Sequence, residues 1–160
     1  MKNTLVFIHG LESTAQGAKG QYFSKHFPQM IIEDYMGDFE ARMSRLNEIL
    51  AGKNNLIIVG SSYGGLMAVH YAMENEKRVK KLVLLAPALN LPEFEKYDEK
   101  TLSIPVIVYH GNADDVVNPD IVKKISEKCF KNLEYHLVED DHPLHKTFAV
   151  LDWKKLLTID

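Results

Sequence analysis

The residues Gly60-Ser61-Ser62-Tyr63-Gly64-Gly65 form a G-x-S-x-G pattern, and its central Ser62 is a candidate nucleophile. The pattern follows an apolar run, Leu56 to Val59, and precedes a helical run, Leu66 to Met73, so it falls on a strand-turn-helix corner. A serine on so tight a corner leaves no room for side chains two residues before or after it, which accounts for Gly60 and Gly64. Its hydroxyl would stand at a helix N-terminus, where free N–H groups and the helix dipole favour a developing oxyanion. A serine nucleophile also needs a base and an acid to orient that base. Two segments concentrate such groups: His110-Gly111-Asn112-Ala113-Asp114-Asp115-Val116-Val117 and Glu139-Asp140-Asp141-His142-Pro143-Leu144-His145.

The elements that must carry these residues follow from the apolar patterning. Short apolar runs at Leu5 to Ile8, Met30 to Ile32, Leu56 to Val59, Leu82 to Leu85 and Val106 to Tyr109 lack period-two polarity, as strands covered on both faces do. Leu133 to Val138 interleaves Glu134 and His136 with apolar residues, which suits a strand at or near a sheet edge. Between them, Asp38 to Ala51 has Phe39, Met43, Leu46 and Leu50 at helical spacing, with Asp38 as N-cap and Gly52 past the end. Asn118-Pro119-Asp120 opens a second helix, with Ile121, Ile125 and Cys129 on one face, which makes Cys129 a packing residue. Leu144, Phe148 and Leu151 begin a final helix running on to Trp153 and Leu157. This alternation predicts an α/β fold, a doubly wound, mostly parallel sheet of about six strands with helices on both faces.

With these elements the chain resembles a small member of the α/β-hydrolase fold family, and the resemblance runs through nearly all of it. His9-Gly10-Leu11, closing the first strand, is similar to the family turn that supplies the second oxyanion donor. The resemblance therefore implies an oxyanion hole made by the backbone N–H groups of Leu11 and Tyr63, with His9 structural. In the family the triad acid lies three residues beyond the glycine that ends a later strand, which here is Asp114, with Asp115 as the fallback. The family base lies in the loop after the last strand. His142, held in the loop before Pro143, is preferred over His145, which should already sit in a helical turn. The order Ser62, Asp114, His142 matches the order of this fold. It implies acyl transfer through an acyl-enzyme, with no organic cofactor and no metal.

The resemblance also bounds the substrate. The connection Asn90 to Ser103, with Leu91 and Phe94 as candidate substrate-binding residues, is too short for a lid domain. Small or short-acyl esters are therefore expected at an open, shallow site, with no interfacial activation. The acids Glu12, Glu33, Asp34, Asp114, Asp115, Glu139, Asp140 and Asp141 all fall at or beyond strand ends, predicting an acidic rim that repels anionic substrates. Acids beside His142 should favour its protonated form and move activity to higher pH. Two other readings are a perhydrolase or acyltransferase using the same triad, and a non-catalytic member that binds a ligand or a protein.

Composition sets the wider limits. The chain has 160 residues, 46% hydrophobic and 26% charged, with a formal net charge of -3, as expected of one domain spanning 1–160. Its mixed charge gives no basic footprint for nucleic acid. No stretch approaches the ~20 apolar residues of a membrane span, and no signal-peptide pattern opens the sequence. A cytoplasmic location is expected, consistent with a single cysteine. Neither H-E-x-x-H nor paired C-x-x-C spacing occurs, and neither nucleotide-binding glycine motif is present.

Overall fold

The computed structural model describes residues 2–159. Six strands, β1 (Thr4–Ile8), β2 (Ile31–Ile32), β3 (Leu56–Ser61), β4 (Val79–Leu85), β5 (Leu102–Gly111) and β6 (Phe130–Val138), form one sheet in the order β2-β1-β3-β4-β5-β6. Every neighbouring pair is parallel. The helices are α1 (Ala18–His26), α2 (Phe39–Ile49), α3 (Tyr63–Glu74), α4 (Pro119–Cys129), α5 (His145–Val150) and α6 (Trp153–Leu156).

Alternate strand residues feed two separate apolar layers. Val6, Ile8, Ile58, Leu82 and Leu84 join one core with residues of α2, α3 and α4. Phe7, Ile57, Val59, Val83 and Leu85 join the other with Phe23 of α1 and Trp153 of α6. Burial on both faces explains why the central strands carry no polar alternation. β6 is an edge strand, as its Glu134 and His136 predict.

The chain winds first from β1 outward to β2, then returns past β1 to β3 and continues to β6. Direction therefore switches between β1 and β3, where the loops diverge and leave a crevice at the carboxyl ends of the strands. Ser62 and Leu11 follow these two strands.

Several boundaries differ from expectation. The buried face of α4 runs through Val122, Ser126 and Cys129, whereas Ile121 is 46% exposed. The start set by the Asn118 cap and Pro119 turns the helix about one residue from the predicted stripe. Cys129 is buried, and that burial pushes its thiol pKa up, as befits a packing residue. The final helix is two helices. Leu144 takes a left-handed conformation (φ 57°) before α5, and Leu151 is extended. The Asp152 carboxylate then accepts from Lys155 N–H at 3.1 Å, capping a new helix in place of continuation. The 3₁₀ segment Pro92–Tyr97 between β4 and β5 packs Phe94 and Tyr97 into the core.

Candidate active site

At the end of β3 the backbone turns so sharply that Ser62 itself has φ 54° and ψ -115°. A Cβ on Gly60 would stand 2.5 Å from the Gly64 carbonyl oxygen, and one on Gly64 would run into the carbonyls of Ile8 and His9. Both glycines are thus required by close approach, as the motif predicts. The strained serine is held by its N–H donating to Leu85 O at 2.9 Å and by its carbonyl accepting from Ala88 N–H at 3.0 Å.

Asp114 is fixed by its own loop. Its N–H donates to Gly111 O, and its Oδ1 accepts from Val116 N–H at 2.9 Å and Val117 N–H at 2.8 Å. The loops after β5 and β6 are tied together where Asn112 N–H donates to Val138 O and Ala113 N–H to Asp140 O. On the β6 side, Asp140 Oδ2 accepts from Lys146 and Thr147 N–H at the start of α5. The residues between that cap and Leu144 carry His142.

These constraints bring three distant residues into one chain of hydrogen bonds. His142 Nδ1 lies 2.6 Å from Asp114 Oδ2, and His142 Nε2 lies 2.9 Å from Ser62 Oγ. With a carboxylate on the Nδ1 side, the neutral ring carries its proton on Nδ1 and its Nε2 lone pair accepts from the Ser62 hydroxyl. Burial alone would raise the Asp114 pKa, but donation from Val117, His142 and Val116 outweighs it and holds the carboxyl below its ordinary value. Asp114 is ionised at neutral pH, and the ring that faces it is oriented to take a proton from Ser62.

The neighbouring candidates do not join this chain of bonds. Asp115 is exposed, and His145, in the first turn of α5, pairs with Asp141 Oδ2 at 2.6 Å. His9 is buried, its Nε2 accepting from Tyr35 N–H at 2.9 Å and its Nδ1 donating to Gly10 O at 2.7 Å. Tyr63 is the first residue of α3, so its N–H has no intrahelical acceptor. The N–H of Leu11 likewise donates to nothing among the described residues.

Ser62, His142, Leu11 and Tyr63 line a cleft of about 540 Å³. Leu91 also lines it, whereas Phe94 is 3% exposed and packs against Tyr97 beneath the surface, because the 3₁₀ turn points its ring inward. The acids predicted for the rim do not line the cleft together. Among the described residues Glu12 is the only carboxylate lining the cleft. Asp34 accepts from Ala15 N–H, Glu33 pairs with Arg45, and Asp140 and Asp141 are taken up by the start of α5 and by His145.

Lys19 of α1 enters the cleft instead, donating to Pro143 O at 2.7 Å. Burial lowers its pKa, against the pull of Asp141 and Asp140. Sequence reasoning passed over Lys19 because nothing local marks it. His110, the first residue of the Asp114 segment, was given no role by sequence, yet its Nε2 lies 3.0 Å from Asp114 Oδ2. Its place directly before Gly111 at a strand end was the available signal.

Residues 40–150 match the profile of the alpha/beta hydrolase family. The chain belongs to this family. Family membership agrees with the parallel sheet and the serine corner after β3. A proline iminopeptidase of Flavobacterium johnsoniae is 26% identical over 133 residues, covering 79% of this chain. The chain spans 40% of the length of that relative. Among solved structures, mouse alpha/beta hydrolase domain-containing protein 10 superposes with TM-score 0.75 at 19% identity, covering 99% of this chain and 93% of that one. Est1E from Butyrivibrio proteoclasticus, with ferulic acid bound, superposes with TM-score 0.79 at 15% identity, covering 93% and 85%. These two share the fold. No helix among the described residues is long and apolar enough to cross a membrane, and no cluster of potential metal ligands is found among them.

Proposed function

We propose that this protein is a serine hydrolase that cleaves small carboxylic esters through Ser62, His142 and Asp114. The observation that carries this reading is the unbroken relay from Asp114 Oδ2 through His142 to Ser62 Oγ, at 2.6 and 2.9 Å, opening into a cleft. His142 Nε2 takes the Ser62 proton as the oxygen attacks the acyl carbon, and the imidazolium formed is stabilised by Asp114. The same proton then passes to the leaving alcohol. Water, activated by the regenerated imidazole, releases the acyl group and restores Ser62. The N–H groups of Leu11 and Tyr63 serve the oxyanion, since both flank Ser62 and neither is consumed by secondary structure.

Ester is favoured over amide by the lower barrier to expelling an alkoxide. The apolar wall of Leu91, Val116 and Val117 suits a short acyl or aryl group, and the cleft volume lies within the range of small-molecule sites. The segment between β4 and β5 is a wall packed on the core, which supports open access rather than a cap. The protein is taken to work as a single domain without a cofactor.

Intact-mass spectrometry after brief exposure to a fluorophosphonate tests the reading. One adduct per chain on the wild type, absent in Ser62→Ala, is the expected result. A folded wild type that gains no adduct would overturn it.

A further inference from the structure

His110 is the penultimate residue of β5, is fully buried, and is the second imidazole beside the Asp114 carboxylate. Its Nε2 lies 3.0 Å from Asp114 Oδ2 and 3.0 Å from Val117 O. Both neighbours are acceptors, so this nitrogen must carry the proton, and Nδ1 is left as a lone pair. That Nδ1 is buried without a partner. Burial also pushes the His110 pKa below its ordinary value, against the pull of Val117 O and Asp114. The ring is neutral at physiological pH. An apolar side chain of similar size would fill the same space without stranding a buried acceptor. Apolar packing therefore does not account for an imidazole here; its Nε2–H holds Val117 O at 3.0 Å, and the same nitrogen stands 3.0 Å from Asp114 Oδ2.

We infer that His110 is a positioning residue for the reaction: its Nε2–H shares Asp114 Oδ2 with the Nδ1–H of His142, fixing the carboxylate and weakening it as an acceptor. This rests on the proposed role of Ser62, His142 and Asp114. Asp114 then accepts three N–H groups, Val116 and Val117 on Oδ1 and His142 on Oδ2, while His110 Nε2, which donates to Val117 O, also stands 3.0 Å from Oδ2. The carboxylate cannot rotate away from His142 without breaking bonds on its other side. Part of its charge is drawn off by a donor that does not react, so it stabilises the His142 imidazolium less than an unshared carboxylate would.

The other groups facing His142 are Ser62 from the serine corner, Lys19 of α1 through Pro143 O, Glu12 across the cleft, and the His145–Asp141 pair opening α5. None of them contacts His110, so a change in the pH profile on replacing His110 reports the bond to Asp114.

The experiment compares His110→Met, which removes the donor, with His110→Gln, whose amide N–H₂ can replace the Nε2–H. In His110→Met the acid limb of kcat/KM for a short-acyl ester should move up by about half a unit as Asp114 regains charge. Its kcat should fall about tenfold with little change in KM, as the reacting groups lose alignment. His110→Gln should return both towards wild type. A His110→Met protein with the wild-type limb and kcat, altered only in melting temperature, would show a packing residue and overturn the inference. A second measurement needs no variant: two-bond ¹⁵N–¹H correlations of the wild-type histidines should show His110 as the neutral Nε2–H tautomer from about pH 6 to about pH 8. An Nδ1–H tautomer or a charged ring in that range would also overturn it. If wild type turns over no ester, the functional reading fails, while an Nδ1–H tautomer would still overturn the His110 donor separately.

Discussion

Asp114→Asn separates the Asp114 relay from the neighbouring acids most sharply. The asparagine keeps one carbonyl oxygen for the two N–H groups of Val116 and Val117, which lie 2.9 and 2.8 Å from Oδ1. Its NH₂ then faces His142 Nδ1 and His110 Nε2, the two nitrogens 2.6 and 3.0 Å from Oδ2. Two donors cannot pair, so His142 is driven to the tautomer with its proton on Nε2. That tautomer cannot accept from Ser62. A wrong tautomer in a Ser-His-Asp arrangement lowers kcat by about 10⁴, or roughly 5.5 kcal/mol of transition-state stabilisation. KM should change little, because no ligand contact is lost. Steady-state hydrolysis of a short-acyl ester measures this, with Asp115→Asn as control; Asp115 is exposed, and its variant should stay within about twofold of wild type. The reasoning is refuted if a folded Asp114→Asn protein keeps a tenth or more of the wild-type kcat, or if Asp115→Asn loses the larger share.

Two further results are expected. Gly64→Ala should lower stability by about 3 kcal/mol or more, or prevent folding, since its methyl would press on the carbonyls of Ile8 and His9; urea denaturation monitored by circular dichroism reads this out. Asp114 and Asp140 both have pKa values held below the ordinary carboxylate value, for Asp140 against the opposing effect of burial through N–H donation from Thr147 and Asp141. A depressed folded pKa gives stability that is present above the unfolded value of about 4 and is lost as pH falls through the folded value. Melting temperature should therefore hold from neutral pH to about pH 4 and drop below it, with a smaller drop in Asp140→Ala, whose start of α5 has already lost its acceptor.

The central strands were readable because burial on both faces writes an unbroken apolar run, and the serine corner because sterics admit only glycine at 60 and 64. Asp114, His142, Leu11 and Tyr63 were reached through resemblance joined to position, and the structure places Asp114 and His142 in hydrogen-bond contact with Ser62's relay. What stayed hidden was set by tertiary contact. α1 has no capping side chain, no acid in its first turn and a glycine inside, so little local signal announces it. Lys19 is held at the cleft by contacts distant in sequence, its bond to Pro143 O and the Phe148 ring, and the acids of the expected rim were diverted to N–H groups of α5 and neighbouring loops. Phe94, a candidate substrate-binding residue by sequence, is directed inward by the short 3₁₀ turn. The break of the last helix came from Asp152, a residue whose side chain competes with the backbone in a way apolar periodicity does not register.

The bonds at the cleft join residues 28, 80 and 124 positions apart, through His142 to Asp114, Ser62 to His142, and Lys19 to Pro143. Contacts so distant form only after the entropy of closing long loops has been overcome, and parallel strands add further non-local pairing. During synthesis, β1 to β4 can emerge and collapse while the ribosome still holds residue 142. Over that interval the Ser62 hydroxyl has no base beside it and is an ordinary alcohol. On the proposed reading, reactivity at Ser62 is a marker of finished folding: a nascent or truncated chain lacking residue 142 should be silent to a fluorophosphonate, and the rise of labelling during refolding should follow the slowest step rather than the formation of secondary structure.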